Sequence, residues 1–329
     1  MNNSKSFQEW MEKSMKDRQY EHYEYWIKNF ALNLENIWNE PSAGELCLIN
    51  ETQEKTNLSS IVVGRGPSIE KHDHLKLLAE SNFDGSIVCC DGKLIDVLKA
   101  GITPDKFPKF YVVTIDPYPP IKKFYDDPII NEFGSSIKGI FTTISNPEVV
   151  AKARDSGINI HWMHSLFDYD EGKKSFNQIS ALMVRAKNHP NGLPAIQTGG
   201  NVGTSSWFVS WKILKCKVVS LIGINHGWND DDPLDLILSH TLSNNEITGE
   251  SFNIDTNSDD FKKLFPKIYN PELNSFCILD PIFQYYRSAL IEFIERSPDW
   301  LTTINATEGG SIFGKRIKSM KFKDFLENF

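Results

Sequence analysis

Ser60-Ile61-Val62-Val63-Gly64-Arg65-Gly66-Pro67-Ser68 is the stretch whose reading decides the fold. Ile61, Val62 and Val63 form a β-branched run that stops at a glycine, the signature of a short buried strand. Ile69 to Ser81 follows with helical spacing, so Gly64 and Gly66 sit in a strand-to-helix turn. The alternation then recurs. Ser86 to Cys90 is a second strand, and Lys93 to Ala100 a helix stopped by Gly101. Phe110 to Thr114 is the third strand. Ile137 to Thr142, Ile158 to Trp162 and Lys217 to Ile222 are further strands, with helices at Pro147 to Ser156 and Thr204 to Lys215. Strands alternating with helices predict parallel βαβ units, and so an α/β, Rossmann-like, doubly wound and mostly parallel sheet.

Other elements surround this core. Residues 5–38 carry Phe7, Trp10, Met11, Met15, Tyr20, Tyr23, Trp26, Phe30 and Leu34 at helical spacing. They predict one or two amphipathic helices packed on the core or on a partner subunit in a homo-oligomer. From Asn229 the rhythm breaks: Asp230-Asp231-Asp232-Pro233 and a polar stretch from Asn244 to Asp260 suggest a lid or a surface excursion. Pro281 to Arg296 is a helix, Leu301 to Ile304 a strand, Gly309-Gly310 a turn, and a last helix starts at Lys323. The chain therefore divides into a helical extension (1–57), a nucleotide-binding core (58–228), an insertion (229–276) and a C-terminal α/β appendage that completes the core (277–329).

Composition narrows the class. Lys and Arg number 35 against 43 Asp and Glu, a net charge of -8, which disfavours a nucleic-acid partner. No stretch approaches the roughly 20 apolar residues of a membrane helix. Met1 to Tyr25 is charged and aromatic, unlike a secretory leader. The five cysteines follow no metal or disulfide spacing, as expected of reduced, buried thiols. A soluble, cytoplasmic protein is expected.

Ligands of open parallel sheets bind at the C-terminal strand ends, and four such ends here carry glycine or polar residues. In the first, Gly64 and Gly66 let backbone N–H groups approach an anion, Arg65 adds charge, and Ser68 caps the helix and donates to a phosphate. The alternative is a tight turn with Ser68 only as cap. Asp91 and Asp116 follow the second and third strands, where a carboxylate holds ribose hydroxyls, a metal ion or a helix cap. The fourth end, Thr198-Gly199-Gly200-Asn201-Val202-Gly203-Thr204, repeats the anion-cradle pattern with Asn and Thr donors. The strand after that helix ends in Gly223-Ile224-Asn225-His226-Gly227, which puts His226 at the same edge as a candidate general base. His72 and His74 stand two apart and are expected to face different ways; these two, His161 and His164 are taken as structural. No Ser-His-Asp elbow, zinc motif or Walker loop is present.

Taken together, the GRGPS turn, the TGGNVGTSS helix start, the Leu221-Ile222-Gly223-Ile224-Asn225-His226 strand end and the tail Ile304-Asn305-Ala306-Thr307-Glu308-Gly309-Gly310 resemble the MptE-like superfamily. That superfamily includes 6-hydroxymethyl-7,8-dihydropterin diphosphokinases and Maf motility-associated glycosyltransferases, and its first half is also similar to sialyltransferases that use CMP-sugars. The resemblance covers about residues 58–228 and returns from about 278. It implies a nucleotide-dependent transferase. Gly64, Arg65, Gly66, Pro67 and Ser68 would then lie on the phosphate side, with Thr198, Gly199, Gly200, Asn201, Asp91 and Asn225 completing the nucleotide site. His226 and Asp116 would be catalytic, and Glu308 would belong to the acceptor side. Two activities compete. A Maf-type glycosyltransferase would hold a CMP-linked sugar donor and act on a protein or small-molecule acceptor. A diphosphokinase would bind ATP, with Mg²⁺ on Asp91 and Asp116. A non-catalytic nucleotide-binding scaffold is the third reading.

Overall fold

The computed structural model describes residues 22–47, 58–166, 192–243 and 257–329. Phe7, Trp10, Met11, Met15 and Tyr20, and most of the polar stretch after Asn244, lie outside them. A helix over 22–39 (α1) buries Tyr23, Phe30 and Ile37. A 3₁₀ turn, Ala43–Leu46, follows behind a Ser42/Glu45 capping box.

The core begins with β1 (Ser59–Val63), α2 (Ser68–Lys71), α3 (His74–Glu80), β2 (Ser86–Cys90), α4 (Leu94–Lys99) and β3 (Phe110–Thr114). It continues with α5 (Pro128–Phe133), β4 (Lys138–Thr142), α6 (Pro147–Asp155), β5 (Asn159–Leu166) and β6 (Ala195–Gln197). Helix α7 (Val202–Phe208) runs into a π turn at Val209–Ile213 before β7 (Val218–Ile222). Next come β8 (Trp228–Asn229), α8 (Leu234–Ser243), α9 (Asp259–Leu264), β9 (Lys267–Asn270) and β10 (Ser275–Ile278). The chain closes with α10 (Pro281–Glu295), β11 (Thr302–Asn305), β12 (Ile317–Ser319) and α11 (Phe322–Asn328).

Nine strands form one sheet in the order β12-β11-β7-β1-β2-β3-β4-β5-β6, and every pairing is parallel. Alternation along each strand explains why both faces need cover. Ile61, Val63, Ile87, Cys89, Phe110 and Val112 enter one apolar cluster, while Val62, Val88, Tyr111 and Val113 enter the other. The first is closed by α1, α3, α4, α6 and α11, the second by α7 and α10. Strands β1 to β6 wind outward in one direction, and β7 then returns to the far side of β1. The winding reverses between β1 and β7, which makes their C-terminal ends the switch point of the sheet.

Two expectations are corrected. The helix expected over Ile69 to Ser81 is broken, because Asp73 takes a left-handed conformation with φ 51°. The break swings His72 and His74 together, and their rings stack at 5.5 Å rather than facing apart. The segment after Asn229 is also more than an excursion. Strands β8, β10 and β9 form a small antiparallel sheet, and Trp228, Ile237 and Phe265 give it its own core.

Candidate functional site at the switch point

Gly64 N–H donates to Ile222 O and Gly66 N–H to Gly223 O, both at 2.8 Å. A Cβ on Gly64 would overlap Gly223 O, and one on Gly66 would overlap Asn225 Oδ1. These glycines therefore let the ends of β1 and β7 touch, and the two amides expected to cradle an anion are spent on carbonyls. Ser68 also departs from expectation. Pro67 occupies the cap position without a side-chain cap bond, and Ser68 Oγ donates to Asn225 Oδ1 at 2.9 Å. Asn225 is wedged further: its carbonyl accepts Ser311 N–H, and Gly310, at φ 76°, has no room for a Cβ against it.

Arg65 is exposed and crosses Gly92, with its guanidinium 5.1 Å from the centre of the Phe124 ring. The space a Cβ would need at Gly92 is filled by the Arg65 side chain. Asp91 is 3% exposed; its Oδ1 accepts Gly92 N–H at 2.7 Å and its Oδ2 accepts Thr114 Oγ1 at 2.9 Å. Burial, and then the charge of Asp116, push its pKa up to about 7 against the donors Thr114 and Gly92 and the charge of Arg65. Burial raises Asp116 to about 6, again opposed by Arg65. Two carboxyls that hold a proton near neutrality thus share one cation at adjacent strand ends.

The loop carrying Asp116 is pinned from α1. Asn29 Nδ2 donates to Pro117 O at 2.9 Å and Ile144 O at 3.1 Å. Asn33 Nδ2 donates to Ser145 O at 2.7 Å and Thr143 O at 3.3 Å. Both side chains are buried. Sequence reasoning missed them. The available signal was two asparagines four apart on the apolar face of an amphipathic helix, a costly placement unless backbone groups are waiting there.

The second glycine-rich loop lies against the same switch point. Ile224 Cδ1 fills the space that a Cβ would need at both Gly64 and Gly203. Gly199 and Gly200 adopt φ 57° and 80°, and Tyr285 and Tyr286 cover Gly200. Asn201 is the N-cap of α7. Its Oδ1 accepts Thr204 N–H at 2.8 Å, and its Nδ2 donates to Gly199 O and Thr204 Oγ1. Thr198 starts the loop, its Oγ1 accepting Gly200 N–H at 3.3 Å.

His226 is brought to this edge but is 7% exposed, at φ 39°, between the rings of Phe283 and Tyr286. Burial drives its pKa down to about 3, which leaves a neutral ring. Glu308 sits apart from the carboxyl pair. Its Oε1 accepts Phe322 N–H at 3.0 Å and lies 3.4 Å from His74 Nε2. With Lys71, His72, Asp231 and Phe276 it lines an open cleft of about 560 Å³. Among the described residues no three His, Cys, Asp or Glu side chains gather as a metal cluster, and no helix is long and apolar enough to cross a membrane.

The fold is similar to that of the Maf glycosyltransferase from Magnetospirillum magneticum AMB-1, with a TM-score of 0.59 at 15% sequence identity. The likeness covers 92% of this chain but 38% of that protein, so this chain spans well under half of its length. At that identity the likeness is one of fold. No curated protein matches the chain. Residues 28–231, more than half of the chain and reaching from α1 past the loop after β7, match the family model described as 6-hydroxymethylpterin diphosphokinase MptE-like; the chain belongs to the MptE-like family.

Proposed function

We propose that the chain transfers a group from a nucleotide-linked donor to an acceptor hydroxyl, and that the donor is a CMP-linked sugar seated at the switch point. The observation that carries this reading is the convergence of Arg65, Asp91 and Asp116 beside the two glycine-rich loops. A guanidinium offsets charge building on the leaving phosphate, and a carboxyl titrating near neutrality passes a proton at the reacting oxygens. Glycosyl transfer is favoured over diphosphate transfer by extent. The family match ends at residue 231, whereas the likeness to a Maf glycosyltransferase spans 92% of the chain and so takes in C-terminal elements as well.

A second reading draws on the same carboxyls. Asp91, Asp116 and the Thr114 hydroxyl are the hard oxygen donors that Mg²⁺ prefers. In a 6-hydroxymethyl-7,8-dihydropterin diphosphokinase they would hold the ion, which would neutralise charge on the phosphates of ATP.

A thermal-shift panel of CMP, CDP, UDP, ATP and GTP, each with and without Mg²⁺, separates the two. Stabilisation by CMP without metal supports glycosyl transfer; an ATP response that requires Mg²⁺ supports the kinase. No shift across the panel overturns both and leaves the scaffold reading.

A further inference from the structure

The small sheet after β7 carries another histidine, His240 in α8, whose surroundings contrast with those of His226. Its Nδ1 lies 2.7 Å from Asp280 Oδ2, and Trp228 Nε1 donates to that same oxygen at 2.8 Å. The other oxygen, Oδ1, accepts the N–H groups of Ile282 and Phe283, both at 2.8 Å, as the N-cap of α10. Asp280 is 0% exposed, so four donors fill two fully enclosed oxygens and leave no place for a proton of its own. A neutral His240 must then carry its hydrogen on Nδ1 and its lone pair on Nε2. The side chain keeps 25% of its surface exposed. Its ring stacks on Phe283 at 4.5 Å; Phe283 borders Tyr286, and Tyr286 covers Gly200 of the second glycine-rich loop. One row of rings therefore joins this histidine to the switch-point site.

We propose that His240, oriented by Asp280, is the general base of the reaction and takes the acceptor's proton at Nε2. The proposal rests on the group-transfer reading above. In the step, the acceptor O–H bond breaks and its proton passes to Nε2. The acceptor oxygen bonds to the anomeric carbon of the sugar. The bond from that carbon to the phosphate oxygen breaks, and CMP leaves with the electron pair. Loss of the proton to solvent restores the ring. Asp280 is a positioning residue: it sets the tautomer and touches no substrate.

The test uses the full chain, CMP-N-acetylneuraminic acid as donor and water as the acceptor, with release of CMP as the readout. His240→Gln and His240→Ala are expected to lower release by about 10²–10⁴-fold, the usual weight of general acid–base catalysis. The thermal shift given by CMP should be unchanged, and added imidazole should return part of the His240→Ala rate. Asp280→Asn should slow release and move the His240 hydrogen to Nε2, read from ¹⁵N shifts of the ring. If CMP shifts the melting point but both His240 variants keep the wild-type rate, or lose it only as they lose the folded state, the dyad proposal falls and the nucleotide reading survives. A wild type that binds CMP yet releases none from the donor also overturns the dyad proposal. Absence of any CMP shift overturns the donor reading, and the dyad's role with it.

Discussion

Ser68 Oγ donates a 2.9 Å hydrogen bond to Asn225 Oδ1 across 157 residues of sequence, and it ties the first glycine loop to the end of β7. Ser68→Ala leaves that buried oxygen without this donor. A loss of about 1–3 kcal/mol in urea unfolding is expected, with an unchanged m value. The hydroxyl is already committed, so any nucleotide-induced thermal shift should persist in the variant. A loss within the roughly 0.5 kcal/mol of an ordinary surface change would show that the bond does not hold the loop.

Gly66→Ala tests why the glycine is there. Its Cβ would overlap Asn225 Oδ1 and approach Gly223 O to 2.7 Å, and neither belongs to the end of a flexible side chain. Destabilisation at or above the ~3 kcal/mol upper range of overpacking is expected, read as a fall in the urea midpoint. Gly101→Ala is the control. No atom lies within 4 Å of its Cβ position, so only the left-handed φ of 84° should cost, about 1–2 kcal/mol. Equal losses at the two sites would refute the close-approach argument.

Asn29→Ala removes a donor shared by Pro117 O and Ile144 O. A loss of about 1–3 kcal/mol is expected for these buried groups. Amide exchange should quicken at 115–118 and 143–146, measured by hydrogen–deuterium exchange mass spectrometry. Unchanged exchange in both loops would mean that α1 merely packs there.

Asp91 makes stability depend on pH. Its carboxyl rises from 3.8 to about 7 on folding, mainly through burial. Between those values the native state keeps a proton that the unfolded chain has lost. The stabilising proton is therefore fully present below about pH 4 and is lost as pH climbs through 7. Asp91→Asn cannot titrate. Its stability relative to wild type should improve from pH 4 to pH 8 by on the order of a few kcal/mol, measured as urea midpoints at pH 4, 6 and 8. Parallel pH curves for the two proteins would contradict the raised carboxyl.

Much of the core was legible because its signals are local. The β-branched runs at Ile61 to Val63 and Phe110 to Thr114 mark strands buried on both faces, and the glycines that end them mark turns. Strands β9 and β10 were not legible. They are half exposed, with residues such as Tyr269 and Phe276 facing solvent, so apolar residues do not alternate along them. Strands β6 and β12 have three residues each, too short for any period to show.

The site divides in the same way. Chain order and residue chemistry were enough to place Gly64 to Ser68, Asp91, Asp116, Thr198 to Asn201 and Asn225 at strand ends, since a parallel sheet delivers every such loop to one edge. They were not enough to say which donors those loops spend on one another. That Gly66 N–H meets Gly223 O, that Ser68 meets Asn225, and that Asn29 holds the Asp116 loop follow from contacts between segments far apart in sequence. Local propensity determined where the glycine loop lies. Only the packing of β1 against β7 decided that its glycines serve backbone contact, because a hydrogen-bond partner is set by distance in space, which a sequence pattern does not encode.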